Sequence, residues 1–376
     1  MKIVLAPDSF KESLSALQVC KAMARGVRSV LPDADIIHLP LADGGEGTVD
    51  ALVSATNGRL LQQEVVGPLG DNVTARFGVL GDGNTAVIEM ASASGLPLVT
   101  PEERNPLNTT TFGTGQLIRA ALDLGVIEIL IGIGGSATVD CGTGMAQALG
   151  VRFYDKKKLI EKHMTGELVG TVSSIDLSGL DRRIKKVTIK VACDVDNPLL
   201  GDNGAARVYG PQKGATPEIV EQLEQNMSQV IDVIEAETNP VRDIAGAGAA
   251  GGLGAGLLAF LSAQLTSGIE AVLQACSFDE IIHDADLILT GEGKIDEQSA
   301  MGKTIDGVVS HAAKYNVPVI AIGGTVFDAA EKLYEKGLLS MFSICNKPMT
   351  LQQALDNADA LVEKSAERVI RLFAKR

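Results

Sequence analysis

An α/β fold of two domains is what the sequence predicts, on three observations. Short buried strand patterns alternate with helical ones at both ends of the chain. The middle opens instead with short alternating runs broken by turns. The loops that follow the terminal strands are all rich in backbone-exposing or charged residues, and three carry Gly pairs or near-pairs. We therefore expect a doubly wound, flavodoxin- or Rossmann-like parallel-sheet domain built from both termini, residues 1–69 and 285–376. An inserted mixed α/β domain is expected at 70–284.

The elements follow in order. "KIVLA" is a buried strand, and a helix over about 16–30 begins with Ser15 and Gln18 spaced as a capping box. "DIIHLP" is a second strand. A helix over about 46–56 stops at Asn57-Gly58, a pair suited to a left-handed C-terminal cap. "LLQQEVVG", "VTARFGVL" and "TAVIEM", separated by "GPLGDN" and "GDGN", read as antiparallel strands. Then come a helix over about 115–124, the strand "IEILIGI", a helix into Gly150 and the strand "TIKVAC". A polar helix runs over about 217–237, followed by a Gly/Ala-rich helix. From Ala285 the parallel pattern returns with "DLILTG", a helix over 303–315, "VPVIAIGG", a helix, "MFSICN" and a closing helix.

Composition excludes several classes. The 376 residues suffice for two domains, and a formal charge of −14 argues against a nucleic-acid partner, which needs a basic footprint. Aromatic residues are 3% and Trp is absent, so stacking on bases is not the main business. The cysteines at 20, 141, 193, 276 and 345 form no C-x-x-C, which points to reduced thiols in a cytoplasmic protein. The opening "MKIVLAPDSF" enters a strand directly, with no apolar export segment. Residues 244–269 carry no charge and place Gly248, Gly252 and Gly256 at G-x-x-x-G spacing. The Gly/Ala half is weakly hydropathic and lacks a basic flank, so we expect a buried, tightly packed helix and no membrane partner.

Ligands of an open α/β sheet sit outside the carboxyl ends of its strands. There the sequence places "PDSFK", "ADGGEG", "GEGKID", "GGT" and "CNKP". Free amides at such turns bind anions, and Lys11, Lys294 and Lys347 supply positive charge. Asp8, Asp43, Glu46, Glu292 and Asp296 crowd the same ends. Single Asp or Glu residues commonly cap helices. The set together suits a phosphorylated ligand with magnesium. The inserted domain repeats the theme in "NTTTFGTG" (108–115) and "LIGIGGSATVDCGTG" (130–144), a phosphate-cradle pattern without a lysine. "CDVDNPLLGDNGAARVYGPQKG" (193–214) adds Asp194, Asp196, Asn197, Arg207 and Lys213.

Some patterns nearly match other sites. "GIGGSA" and "GAGAAG" fit a dinucleotide fingerprint, but the first lacks the acidic residue about twenty positions on and the second follows no strand. "EQSAMGKT" ends like a phosphate-binding loop but has Glu297 where the first glycine belongs. The four histidines show no ligand spacing, and no G-x-S-x-G elbow is present.

"MKIVLAPDSFKESLSA", "PLADGGEGTVDAL", "GIGGSATVDCGTGMAQALG", "ACDVDNPLLG" and "LTGEGKIDEQSAMGKT" resemble the bacterial glycerate kinases of type 1, in order and over essentially the whole chain. The resemblance implies ATP-dependent phosphorylation of D-glycerate with Mg2+ in organic-acid catabolism, the 2-phosphate being favoured over the 3-phosphate. It also implies a flavodoxin-like domain carrying an inserted α/β domain. Phosphoryl transfer needs in-line geometry, charge neutralisation and a positioned hydroxyl. On that basis Asp194 is the first choice to position or deprotonate the glycerate hydroxyl and Asp296 the second, with Lys11 and Lys294 neutralising charge. Asp8, Ser9, Asn197 and Lys213 are expected to bind substrate. Gly134, Gly135, Ser136, Gly291 and Gly293 are expected to face the nucleotide, and Asp43 and Glu46 to hold the metal. We expect the reaction between the two domains.

Two other classes compete. An NAD-dependent hydroxy-acid oxidoreductase would need no magnesium, and a non-catalytic anion sensor would bind without turnover. Carboxylates at the strand ends favour the kinase, because a pure anion binder has little use for them. The sequence leaves oligomeric state open.

Overall fold

In the first sheet β1 (Lys2–Leu5) lies between the edge strand β2 (Asp35–His38) and a strand from almost three hundred residues later in the chain. The protein is described by a computed structural model over residues 1–374. It divides into two compact units: Met1–Asp43, Asp50–Gly58 and Ser267–Arg376 form the first, Gly44–Val49 and Arg59–Thr266 the second.

The remaining strands, in chain order, are β3 (Arg59–Val66), β4 (Asn72–Val79), β5 (Thr85–Glu89), β6 (Glu128–Gly132), β7 (Arg152–Asp155), β8 (Lys158–Leu159), β9 (Ser174–Asp176), β10 (Thr188–Ala192), β11 (Gln264–Thr266), β12 (Leu287–Ile295), β13 (Val319–Val326) and β14 (Leu338–Ser343). The first unit's sheet runs β14-β13-β12-β1-β2 with every pairing parallel. Counting strands within the unit, this is the doubly wound order 2-1-3-4-5, whose switch point lies between β1 and β12. Both faces are covered, as a parallel sheet requires. Ile3, Leu5, Leu287 and Leu289 pack with the helices Ala16–Arg28 and Ala358–Phe373, while the alternate residues Val4 and Ile288 are also fully buried. Those two helices cross closely at Gly26, where a Cβ would strike the backbone of Glu363. Ser15 and Gln18 form the expected capping box. Asn57 takes φ 55° after the helix Thr48–Ala55, and the Gly58 amide donates back to the Val53 carbonyl.

The second unit holds a six-stranded sheet in the order β11-β10-β6-β5-β4-β3. β11, β10, β6 and β5 pair in parallel, and β5, β4 and β3 in antiparallel fashion. A small antiparallel sheet, β8-β7-β9, accompanies it. The mixed α/β class expected from the sequence is the observed one.

Three local expectations differ in detail. Residues 59–66 form β3, hydrogen-bonded to β4 along its whole length, so they group with the second unit although the sequence reading ended the outer domain at 69. The helices Gly268–Ala275 and Phe278–Ile282 group with the first unit, ahead of the expected 285 boundary. The Gly/Ala stretch is not one helix: Ala250, Gly251 and Gly252 are left-handed, and only then does Ala249–Leu261 continue as a normal helix. Among the described residues no helix is long and apolar enough to cross a membrane.

Candidate functional site

In the second unit, the Gly-rich stretch after β6 is built around Asp140. This carboxylate is fully buried and accepts from the Thr111 amide (2.8 Å) and hydroxyl (2.7 Å), and from the amides of Gly142 (3.2 Å) and Gly144 (3.3 Å). Burial pushes its pKa up, and these donors pull it back. Thr111 completes the brace by accepting from the Met145 amide at 2.9 Å. Thr109 donates to the Ala137 carbonyl and Thr114 to Ser94. The hydroxyls of "NTTTFGTG" are thus spent on joining two loops, where the sequence reading had them facing an anion.

Lys213 supplies the cation that the stretch lacks. Its side chain is buried at 2% exposure, and its Nζ donates to Ser136 Oγ (2.6 Å) and the Thr138 carbonyl (2.7 Å). Burial lowers its pKa to about 7, against the opposing pull of Asp140. Expected as a substrate contact, Lys213 here lies beneath the loop and fixes it. Gly134 and Gly135 lie exposed in the turn above, with Gly135 at φ 72°. A Cβ at Gly134 would meet nothing closer than 3.7 Å.

The left-handed turn at 250–252 supports this loop from behind. The Cys141 amide donates to the Gly251 carbonyl at 3.2 Å, and a Cβ at Gly251 would collide with the Thr138 carbonyl. Gly256 likewise allows the helix to touch Cys141 and Gly142. "GAGAAG" is therefore a packing device, and its glycines have a sufficient cause without a dinucleotide.

Asp194 follows β10 on an exposed loop. Asn197 braces that loop, donating to the Asn203 carbonyl (2.8 Å) and accepting from the Tyr209 hydroxyl (2.6 Å). Glu46 is exposed in the turn before the helix Thr48–Ala55.

In the first unit the strand ends converge at the switch point. The Asp8 amide donates to the Gly291 carbonyl at 2.8 Å, continuing the β1–β12 ladder. Asp8 Oδ1 accepts from the Ser9 amide (2.6 Å) and Oδ2 from Thr304 Oγ1 (2.7 Å). Burial raises the Asp8 pKa, with the negative charge of Asp43 adding to the effect. The expected "GEGKID" loop is in fact strand: β12 runs through Ile295 and pairs with β13 to Val326. Gly291 is required by that packing, since a Cβ would strike the Ile322 carbonyl, and Gly293 faces the backbone of Phe10 and Lys11. Lys294 is mostly exposed, pairs with Asp296 at 2.7 Å and stands over the Phe327 ring at 5.2 Å. Lys294 lowers the Asp296 pKa, and Asp296 caps the turn Glu297–Ala300. Lys11 is exposed.

By sequence alone Glu292 is one of several carboxylates at the strand ends. Its burial raises its pKa to about 7, opposed by a hydrogen bond from Ser299. Its Oε1 is shut from solvent without a hydrogen-bond partner. The sequence signal for it was an acid between two glycines at a strand end; the missing information was that the strand continues and buries it.

Among the described residues no group of three or more His, Cys, Asp or Glu side chains is gathered as a metal cage. Magnesium is usually held by one or two carboxylates plus substrate phosphates and water.

A first unit whose doubly wound sheet carries acids at its switch point, and a second unit whose Gly-rich turn is fixed by a buried lysine, are each suited to small anionic or phosphorylated substrates. The model of the glycerate kinase family matches residues 3–374, and the chain belongs to that family. It is 53% identical to the glycerate kinase of Bacillus subtilis (strain 168) over 98% of this chain and 97% of that one. It is 51% identical to the glycerate 2-kinase of Escherichia coli (strain K12), over 95% of this chain and 94% of that one. A crystal structure from Salmonella typhimurium LT2, described as "putative glycerate kinase 2", superposes with a TM-score of 0.91 at 50% identity, covering 100% of this chain and 98% of that one.

Proposed function

We propose that this chain is a type 1 glycerate kinase that transfers the γ-phosphoryl group of ATP to D-glycerate and yields 2-phosphoglycerate. The observation that carries the reading is the Gly-rich turn at 134–136, held by Lys213 and backed by Asp140. It presents the exposed Gly134 and Gly135 on a fixed frame, an arrangement suited to nucleotide phosphates. The 2-phosphate follows the name of the Escherichia coli relative.

Further roles extend the reading. Asp194 positions the reacting hydroxyl, and Asp8 with Ser9 orients the substrate. Lys11 is exposed, and Lys294, paired with Asp296, keeps most of its side chain exposed, so both are assigned to neutralising anionic groups. Asp43 and Glu46 are the carboxylates assigned to Mg2+, which would neutralise phosphate charge when bound. Lys213 acts through Ser136, and Asn197 through its loop, so both position other residues.

The test is ADP release from ATP and magnesium with and without D-glycerate, followed by phosphorus NMR. Glycerate-dependent ADP with a phosphomonoester coupled to one proton supports the 2-phosphate. Coupling to two protons assigns the 3-phosphate instead. ADP release that ignores glycerate would overturn the substrate.

A further inference from the structure

The carboxyls at the ends of the first unit's strands are not equivalent. Asp8 has both oxygens occupied, by the Ser9 amide and the Thr304 hydroxyl. Asp296 is spent on Lys294 and on the Gln298 amide, which donates to Oδ1 at 2.9 Å. Glu292 alone of these three keeps an oxygen that is buried and unpartnered, Oε1. It stands on β12, next to the β1–β12 switch point where doubly wound sheets place their ligands. A buried carboxylate oxygen without a protein donor is costly and calls for a partner, which can be a water, an ion, a ligand or a proton; a catalytic role is one such cause.

We propose that Glu292 is the proton acceptor for the reacting hydroxyl of glycerate. The proposal rests on the glycerate kinase reading. In the step, Glu292 takes the hydroxyl proton as the glycerate oxygen bonds to the γ-phosphorus of ATP. The bond from that phosphorus to the β–γ bridging oxygen breaks, its electron pair leaving on ADP. The proton on Glu292 then passes to solvent when product departs. Ser299 holds the carboxyl in place by donating to it. The charged groups that face it are Asp8 and Asp296, which oppose its ionisation, and Lys303, which favours it. Together with burial they place its pKa at about 7, where a base is both available and strong enough to act.

The experiment compares the unmodified enzyme with Glu292→Gln and Ser299→Ala, measuring kcat/KM for D-glycerate from about pH 5.5 to 9 at saturating ATP. Removing a general base should lower kcat by about 100- to 10,000-fold. The unmodified profile should fall on the acid side with a midpoint near 7, and Glu292→Gln should lack that limb. Ser299→Ala should keep measurable turnover and move the limb to higher pH, because the lost donor favoured the carboxylate. Thermal melting at pH 8 should show Glu292→Gln no less stable than the unmodified enzyme, since it removes a buried charge. Glu292→Gln turning over within about threefold of the unmodified enzyme would overturn the assignment alone. So would a matched loss of stability and rate in Glu292→Gln with the Ser299→Ala limb unmoved, which marks a structural residue. No glycerate-dependent turnover by the unmodified enzyme would overturn the kinase reading and this assignment with it.

Discussion

Lys213 Nζ lies 2.6 Å from Ser136 Oγ and 2.7 Å from the Thr138 carbonyl, so a buried ammonium group ties down the Gly-rich turn from below. Its burial makes the stability of that arrangement depend on one proton.

That dependence has a sign. The Lys213 pKa is lowered to about 7 from an ordinary 10.5. Between those values the unfolded chain binds a proton that the folded chain does not, so the lysine's contribution to stability grows as pH rises. Below about 7 the full penalty of burying the charge is present. Lys213→Met should therefore narrow the pH dependence: the Tm of the unmodified enzyme relative to the variant should climb between about pH 7 and 9. The same variant should raise KM for ATP by about tenfold, the scale of one lost charge-assisted hydrogen bond. A flat Tm difference across that range would show that the lysine titrates normally.

Gly251 should be the least replaceable residue of its segment. It combines φ 71° with no room for a Cβ beside the Thr138 carbonyl. Gly251→Ala should cost at least about 1–3 kcal/mol of stability through the backbone conformation. Because the collision is with the Gly-rich loop, KM for ATP should rise as well. Gly201→Ala serves as the comparison: it shares a positive φ of 90° but has open space around it, so it should lose stability alone. Melting curves and steady-state kinetics on both variants check this.

Asp194 and Asp296 should separate cleanly. Asp296 is a cap tied to Lys294, and Asn caps nearly as well as Asp, so Asp296→Asn should stay within about threefold of normal kcat. Asp194→Asn should raise KM for D-glycerate by about tenfold and leave the acid limb of the pH profile where it was. Near-normal kinetics in Asp194→Asn would remove it from the site.

Magnesium dependence is the fourth prediction. With no protein cage of three or more ligands among the described residues, the metal should enter with the nucleotide. EDTA should abolish turnover without changing Tm in the absence of ATP. A Tm drop on chelation of the ATP-free enzyme would point to a resident metal.

The sequence made the architecture legible where a pattern is local. Ser15 and Gln18, Asn57-Gly58 and the helix Pro217–Glu237 appear where spacing and capping chemistry place them. Periodicity also distinguished the parallel ends from the antiparallel run of β3 to β5. What escaped was non-local. Nothing in "LTGEGKID" says that β12 continues to Ile295, because its pairing depends on β13 thirty residues away. Nothing in "NTTTFGTG" says that its hydroxyls turn inward, because Asp140 lies beyond a whole helix and strand. Lys213 was visible as a charge, but its burial under Ser136 depends on a contact across 77 positions.

The place of β1 has a consequence for how the chain comes off the ribosome. Ile3 pairs with Ile36 on one side and with Leu287 on the other. Synthesis therefore delivers β1 and β2 early and leaves one edge of that pair bare until residue 287 emerges. Meanwhile 59–266, an uninterrupted run carrying its own complete sheet, is already available to fold. The nascent first unit is a waiting, adhesive edge whose closure depends on distant strands. Nascent chains stalled shortly before residue 287 should be the ones that most engage chaperones.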